Sequence, residues 1–153
     1  MSTVKIGGDE SDDFAARPLS KKQILDAIAR KESLADADMR GIDLVGANFD
    51  GVDLQRAKLA ESNLTRCSFV GADLTSASLW HSDCKDAIFD NATLEEADFD
   101  FANLDGCMFR GAKVRKAIFP FTRLSLEQVQ ASVKSGVKVR MERQGLDDDD
   151  DEG

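Results

Sequence analysis

Ala47-Asn-Phe-Asp-Gly51 returns as Ala72-Asp-Leu-Thr-Ser76 and again as Ala102-Asn-Leu-Asp-Gly106, always on a five-residue beat. Followed outward in both directions, the beat runs from Glu32 to Leu126 without an insertion or deletion. Nineteen centres fall at every fifth residue from Leu34 to Leu124; ten are Leu and six are Phe. Two residues before the centres stands a mostly small residue, eleven times Ala, with Cys67, Cys107, Ser62 and Ser82 among the others. The residue between is mostly polar, often Asp or Asn, as at Asp38, Asp43, Asn48 and Asp73. Self-similarity this regular marks a repeat architecture.

Neither regular secondary structure can use a period of five. On an α-helix, successive centres would rotate by roughly 140° and smear around the axis. On a straight strand, an odd period throws successive centres onto opposite faces. The centres and small residues share one core only if the chain bends at every repeat. Gly41, Gly46, Gly51, Gly71, Gly106 and Gly111 all fall two residues after a centre, where such a bend needs permissive backbone. A chain that turns a corner every five residues, burying a continuous core between stacked turns, is a solenoid.

This A-(D/N)-L-x-x register resembles the pentapeptide-repeat family over about 95 of the 153 residues. The resemblance implies an all-β solenoid, a right-handed quadrilateral β-helix with four pentapeptides per coil. Centres and small residues would point inward, and the Asp/Asn position outward. Nineteen repeats then make about 4.75 coils, roughly 23 Å at a spacing of about 4.8 Å.

Open ends of a solenoid need covering. Ser20 and Gln23 form a capping-box pattern that predicts a helix over 21–31, with Ile24, Leu25 and Ile28 on its inner face. Ser125 and Gln128 repeat the pattern before a helix over 126–134, with Leu126 and Val129 inward and Gly136 as its stop. Val137, Val139 and Met141 alternate with Lys138 and Arg140 as a short strand. The expected organisation is a flexible arm over 1–18, a capping helix over 19–31 and the repeats over 32–126. The C-terminal helix and strand follow over 127–145, and an acidic disordered tail over 146–153. By analogy with gyrase-targeting members of the family, the C-terminal helix could instead carry a homodimer contact.

The chain carries 20 basic and 29 acidic residues, a net charge of -9. By region the net is +1 for 1–31, -6 for the repeats and -4 for 127–153. This balance argues against direct nucleic-acid binding, which needs a basic surface. No apolar run reaches the length of a membrane span and no secretory core precedes the repeats, so the expected location is cytoplasmic. Cys67 and Cys107 share the small-residue slot two coils apart, too far for a disulfide, and Cys84 replaces a centre Leu on another face. All three read as buried, reduced thiols. No spacing suits a metal, and no cofactor is implied.

His81-Ser82-Asp83 contains the residue types of a catalytic triad, but the register turns Ser82 inward and Asp83 outward, so the expectation is no enzyme activity. The departures from the pattern point to a protein partner. Ile88, Met108 and Ile118 occupy the outward slot usually held by Asp or Asn, and Val70 and Trp80 also face out. Seven acids and no base lie between Asp86 and Phe109, then five bases and no acid between Arg110 and Arg123. The candidate contact residues are therefore Trp80, Ile88, Met108, Asp98, Asp100, Asp105, Arg110 and Arg115. The leading reading is a rigid protein-interaction scaffold. Two alternatives come from the resemblance: a DNA mimic that protects gyrase, and an adaptor of a bacterial type VI secretion apparatus, suggested by Lys31–Met39.

Overall fold

The computed structural model describes residues 18–142. The acidic tail, and the N-terminal arm apart from Pro18, lie outside them. Between α1 (Lys21–Ala29) and α2 (Leu126–Ser135) the chain winds as a solenoid. Parallel pairing joins residues twenty apart, so each coil holds four pentapeptides. Four columns define the sides. The first is Asp53–Asp73–Thr93–Lys113, and the second Asp38–Lys58–Ser78–Asp98–Ile118. The third is Asp43–Asn63–Asp83–Asn103, and the fourth Asn48–Ser68–Ile88–Met108. Each side contributes one rung of pairing rather than a run of strand, because a corner follows within three residues.

The repeat motif follows from satisfying every backbone N–H in a five-residue side. Around Leu54, its own N–H donates to the Asp73 carbonyl of the next coil at 2.7 Å. Arg56 donates to Thr75 at 2.8 Å, and Ala57 closes the corner on the Leu54 carbonyl at 3.0 Å. Lys58 reaches back to Ala37 at 2.9 Å. Only the Gln55 N–H has no backbone acceptor, and the Asp53 carboxylate takes it at 3.1 Å. Asp43, Asn48, Asn63, Asp73, Asp83, Asp98 and Asn103 do the same one corner after another. Asp and Asn recur there because a short side-chain acceptor satisfies the N–H two residues on. The corner residue two after each centre from Leu34 to Val114 is left-handed, in Gly as at Gly71 (φ 68°) but also in non-glycine residues such as Arg56 (φ 60°) and Phe101 (φ 61°).

Centres and small residues face inward and are buried along almost the whole solenoid. The fourth side places Phe49, Phe69, Phe89 and Phe109 one above another, with ring centroids 5.0, 4.9 and 5.2 Å apart and nearly parallel planes. Phe99 and Phe119 stack likewise at 5.4 Å on the second side. Such contacts add about 0.5–1.5 kcal/mol per pair to the burial itself. Cys67, Cys84 and Cys107 are buried free thiols, as expected. Cys67 and Cys107 donate to the Leu44 and Cys84 carbonyls, each at 2.9 Å.

The caps complete the ladder. Ser20 and Gln23 form the full capping box of α1, which seats Ile24 and Ala27 over the first coil. Leu25, expected inward, is exposed instead, because the inner stripe of this nine-residue helix runs through Ile24, Ala27 and Ile28. At the other end the last coil has N–H groups with no coil beyond it. Phe109 donates to Ser132 Oγ at 3.0 Å, Gly111 to the Val133 carbonyl at 2.8 Å and Gly106 to the Val139 carbonyl at 2.8 Å. Val139 returns a bond to the Cys107 carbonyl at 2.9 Å, so the segment expected as a strand serves as a partial further rung. Two expectations are corrected here. Leu126 is exposed, because Val129 and Ser132 form the inner face of α2. Gln128 does not complete a capping box, because its amide is spent on the Arg140 backbone, accepting at 2.7 Å and donating at 2.9 Å.

Two outcomes follow. Phe69→Ala opens a gap between two stacked rings and costs about 3–5 kcal/mol in a guanidinium titration, whereas Lys113→Ala at an exposed position of the outer surface changes little. Burial pushes the Cys67 thiol up to about 11 and the Cys84 thiol up to about 12. Iodoacetamide at pH 8 therefore labels none of the three cysteines in the folded chain and all three once it is unfolded, counted by intact mass.

Candidate protein-docking site

A quadrilateral rod sorts outward residues by column, and the sequence-predicted contact residues fall into separate columns. Ile88 and Met108 pair directly on the fourth side, both half-buried. Trp80 stands at the corner between the second and third sides, so the whole third side separates it from Ile88. The two do not form one patch.

The acid-to-base boundary also divides. Arg115 lies over Glu95, with 3.5 Å between Nη2 and Oε1. Arg110 donates its backbone N–H to Asp90 Oδ1 at 3.2 Å, and its guanidinium lies against Gly136 at the C-terminal end of α2, where an added Cβ would have to displace it. A guanidinium in that place also meets the electronegative end of the helix. Asp105 is committed to the C-terminal segment, accepting from the Met141 N–H at 3.0 Å and from Arg140 Nη1 at 3.4 Å. Asp98 and Asp100 stay on the second side and its following corner. Each accepts a local backbone N–H, and neither has an ion-pair partner among the described residues.

Sequence reasoning missed an exposed aromatic corner. Trp80 is 38% exposed and Phe101 64% exposed. The two meet edge to face at 6.1 Å, with His81 between them at 4.8 Å from the indole and 5.9 Å from the phenyl ring. One coil further on, Phe121 and Ile118 are also about half exposed. His81 and Phe101 both take the left-handed corner conformation, at φ 60° and 61°. A bulky residue held there, with its side chain in water, is uncommon. The signal that finds this cluster is the twenty-residue spacing of His81, Phe101 and Phe121, visible only when the repeats are read coil by coil.

The residues with chemical potential do not converge. Ser82 is buried, donating to the Leu79 carbonyl at 2.6 Å, while Asp83 is exposed and accepts from Lys85 N–H and Asn103 Nδ2. No cluster of three His, Cys, Asp or Glu able to hold a metal occurs among the described residues. An open groove of about 670 Å³ runs beside the end of α1, lined by residues including Ile28, Lys31, Asp50 and Val52, without a convergent set of reactive groups. No described helix is long and apolar enough to cross a membrane.

Comparison with known proteins agrees with this geometry. Residues 42–119 match the family model described as a pentapeptide repeat region. A solved pentapeptide-repeat protein from the Arabidopsis thaliana thylakoid lumen is 36% identical, with a TM-score of 0.51, over 51% of this chain and 54% of that one. Another, from the cyanobacterium Cyanothece, is 24% identical with a TM-score of 0.54, over 55% of this chain and 58% of that one. The chain thus spans little more than half the length of either. No curated protein matches it.

Proposed function

The chain belongs to the pentapeptide-repeat family, and on that premise we propose that it is a non-enzymatic, rigid scaffold that docks another protein on its outer columns. The observation that carries this reading is the Trp80–His81–Phe101 corner, an exposed aromatic cluster held on a coil that the stacked ladder fixes in place. Large aromatics on a pre-organised surface bind at low entropic cost and dominate interface energetics. The reactive side chains, by contrast, are dispersed or buried.

Mimicry of duplex DNA towards gyrase would need negative charge continuous along one side. The first side loses it at Thr93 and Lys113, and the third alternates Asp with Asn. An adaptor role in a secretion apparatus is a special case of the scaffold reading, and the captured partner would identify it. The outer face of α2 carries Glu127, Gln130, Ala131 and Lys134, with Leu126 the exposed large apolar residue, which is little area for a stable homodimer.

The test is affinity capture from an extract of the source cell, followed by calorimetry on the purified pair. The expected result is one protein bound at fixed stoichiometry with micromolar or tighter Kd. Absence of any stoichiometric protein, or gyrase protection in a supercoiling titration at micromolar chain, would overturn it.

A further inference from the structure

The chemistry around the aromatic corner specifies its partner. Asp100 precedes Phe101 and sits one coil above Trp80, where its carbonyl accepts the His81 N–H at 3.0 Å. Asp98 pairs with Ser78, two residues before Trp80, and Asp83 follows two residues after His81. Three carboxylates thus flank the rings, and none has an ion-pair partner among the described residues. Of the bases on the same two sides, Lys85 stands exposed and without an ion pair among the described residues at the far end of the third side, two residues beyond Asp83, while Arg40, Lys58 and Arg123 lie away from the rings. Arg40 is paired with Asp38 at 2.7 Å, and Arg123 donates from Nε to the Glu142 carbonyl at 2.8 Å. Lys58 stacks on Asp38, one coil below Ser78. The corner therefore presents ring faces and unpaired negative charge together.

We propose that the Trp80–Phe101 corner is the docking site for an arginine-bearing segment of the partner protein. Guanidinium groups stack on the indole and phenyl faces, and the carboxylates of Asp83, Asp98 and Asp100 neutralise them. Arginine suits this site because its planar cation both stacks on aromatic rings and bonds carboxylates in pairs. Neutral apolar segments would leave the carboxylates desolvated without a counter-charge. The inference rests on the scaffold reading and names the surface and partner chemistry that serve it.

Trp80 is the chain's single tryptophan, so its emission reports on the site directly. The full chain is titrated with a synthetic peptide of about twelve residues, arginine at every third position among alanine and serine, and with its glutamate counterpart. The arginine peptide should shift Trp80 emission saturably, weakening as salt rises, while the glutamate peptide does not. Phe101→Asn keeps a left-handed corner and every charge, yet should weaken binding at least tenfold. Asp98→Asn with Asp100→Asn keeps the local backbone bonds and should weaken binding and flatten its salt dependence, whereas Ile88→Ser should leave it unchanged. Equal binding by Phe101→Asn, or by the glutamate peptide, overturns the proposal. So does an emission shift with chain concentration alone, which would make a second copy the occupant. If the captured protein still binds Phe101→Asn but is lost on Ile88→Ser, this corner is excluded and the scaffold stands. Absence of any captured protein removes both.

Discussion

Everything in this molecule depends on a twenty-residue register of backbone hydrogen bonds. A chain that turns every five residues cannot form strands long enough to satisfy its amides within one layer. It satisfies them by stacking each coil on the next, with Leu54 to Asp73 and Lys58 to Ala37 as the typical exchange. The remaining amide falls to an Asp or Asn side chain, and the corner needs a left-handed residue. The consensus pattern states these requirements in residues: small and large for the interior, a short acceptor before the centre, and a tolerant corner after it. Non-glycine corners such as Arg56 and Phe101 each cost about 1–2 kcal/mol, which the cooperative ladder absorbs.

The same register explains the ends and the outer surface. A ladder has two open edges, and an open edge invites pairing with other chains. At the C-terminal edge, Ser132, Val133 and Val139 supply acceptors where the next coil would have done. Asp105 and Arg110, which in sequence look like a surface charge boundary, anchor this closure. What the closed rod leaves free is its columns of outward side chains, held in fixed relation by a backbone with no need to rearrange.

The interior was legible from the period alone. Leu, Phe and Ala positions, the three buried cysteines and the opposite facing of Ser82 and Asp83 all follow from which way a five-residue repeat must face. The outer surface was less legible, because contact between repeats depends on how many make a coil. Trp80 and Ile88 look like neighbours eight residues apart but stand on different parts of the rod, while Trp80 and Phe101 lie together across coils. Phe101 was hidden by its slot, since the corner two after a centre accepts almost any residue. Leu25, Leu126 and Gln128 were misplaced for a related reason. A capping pattern fixes where a helix starts, but the inner face and the use of a side-chain amide are set by what packs against it.

The proposed grip of a partner at one corner of a rigid rod is open to direct measurement. Hydroxyl-radical footprinting of the captured complex measures this side chain by side chain. On binding, Trp80, His81 and Phe101 should lose reactivity while Met108 and Ile88 react as in the free chain. Protection centred on Met108 with Trp80 unchanged would contradict it.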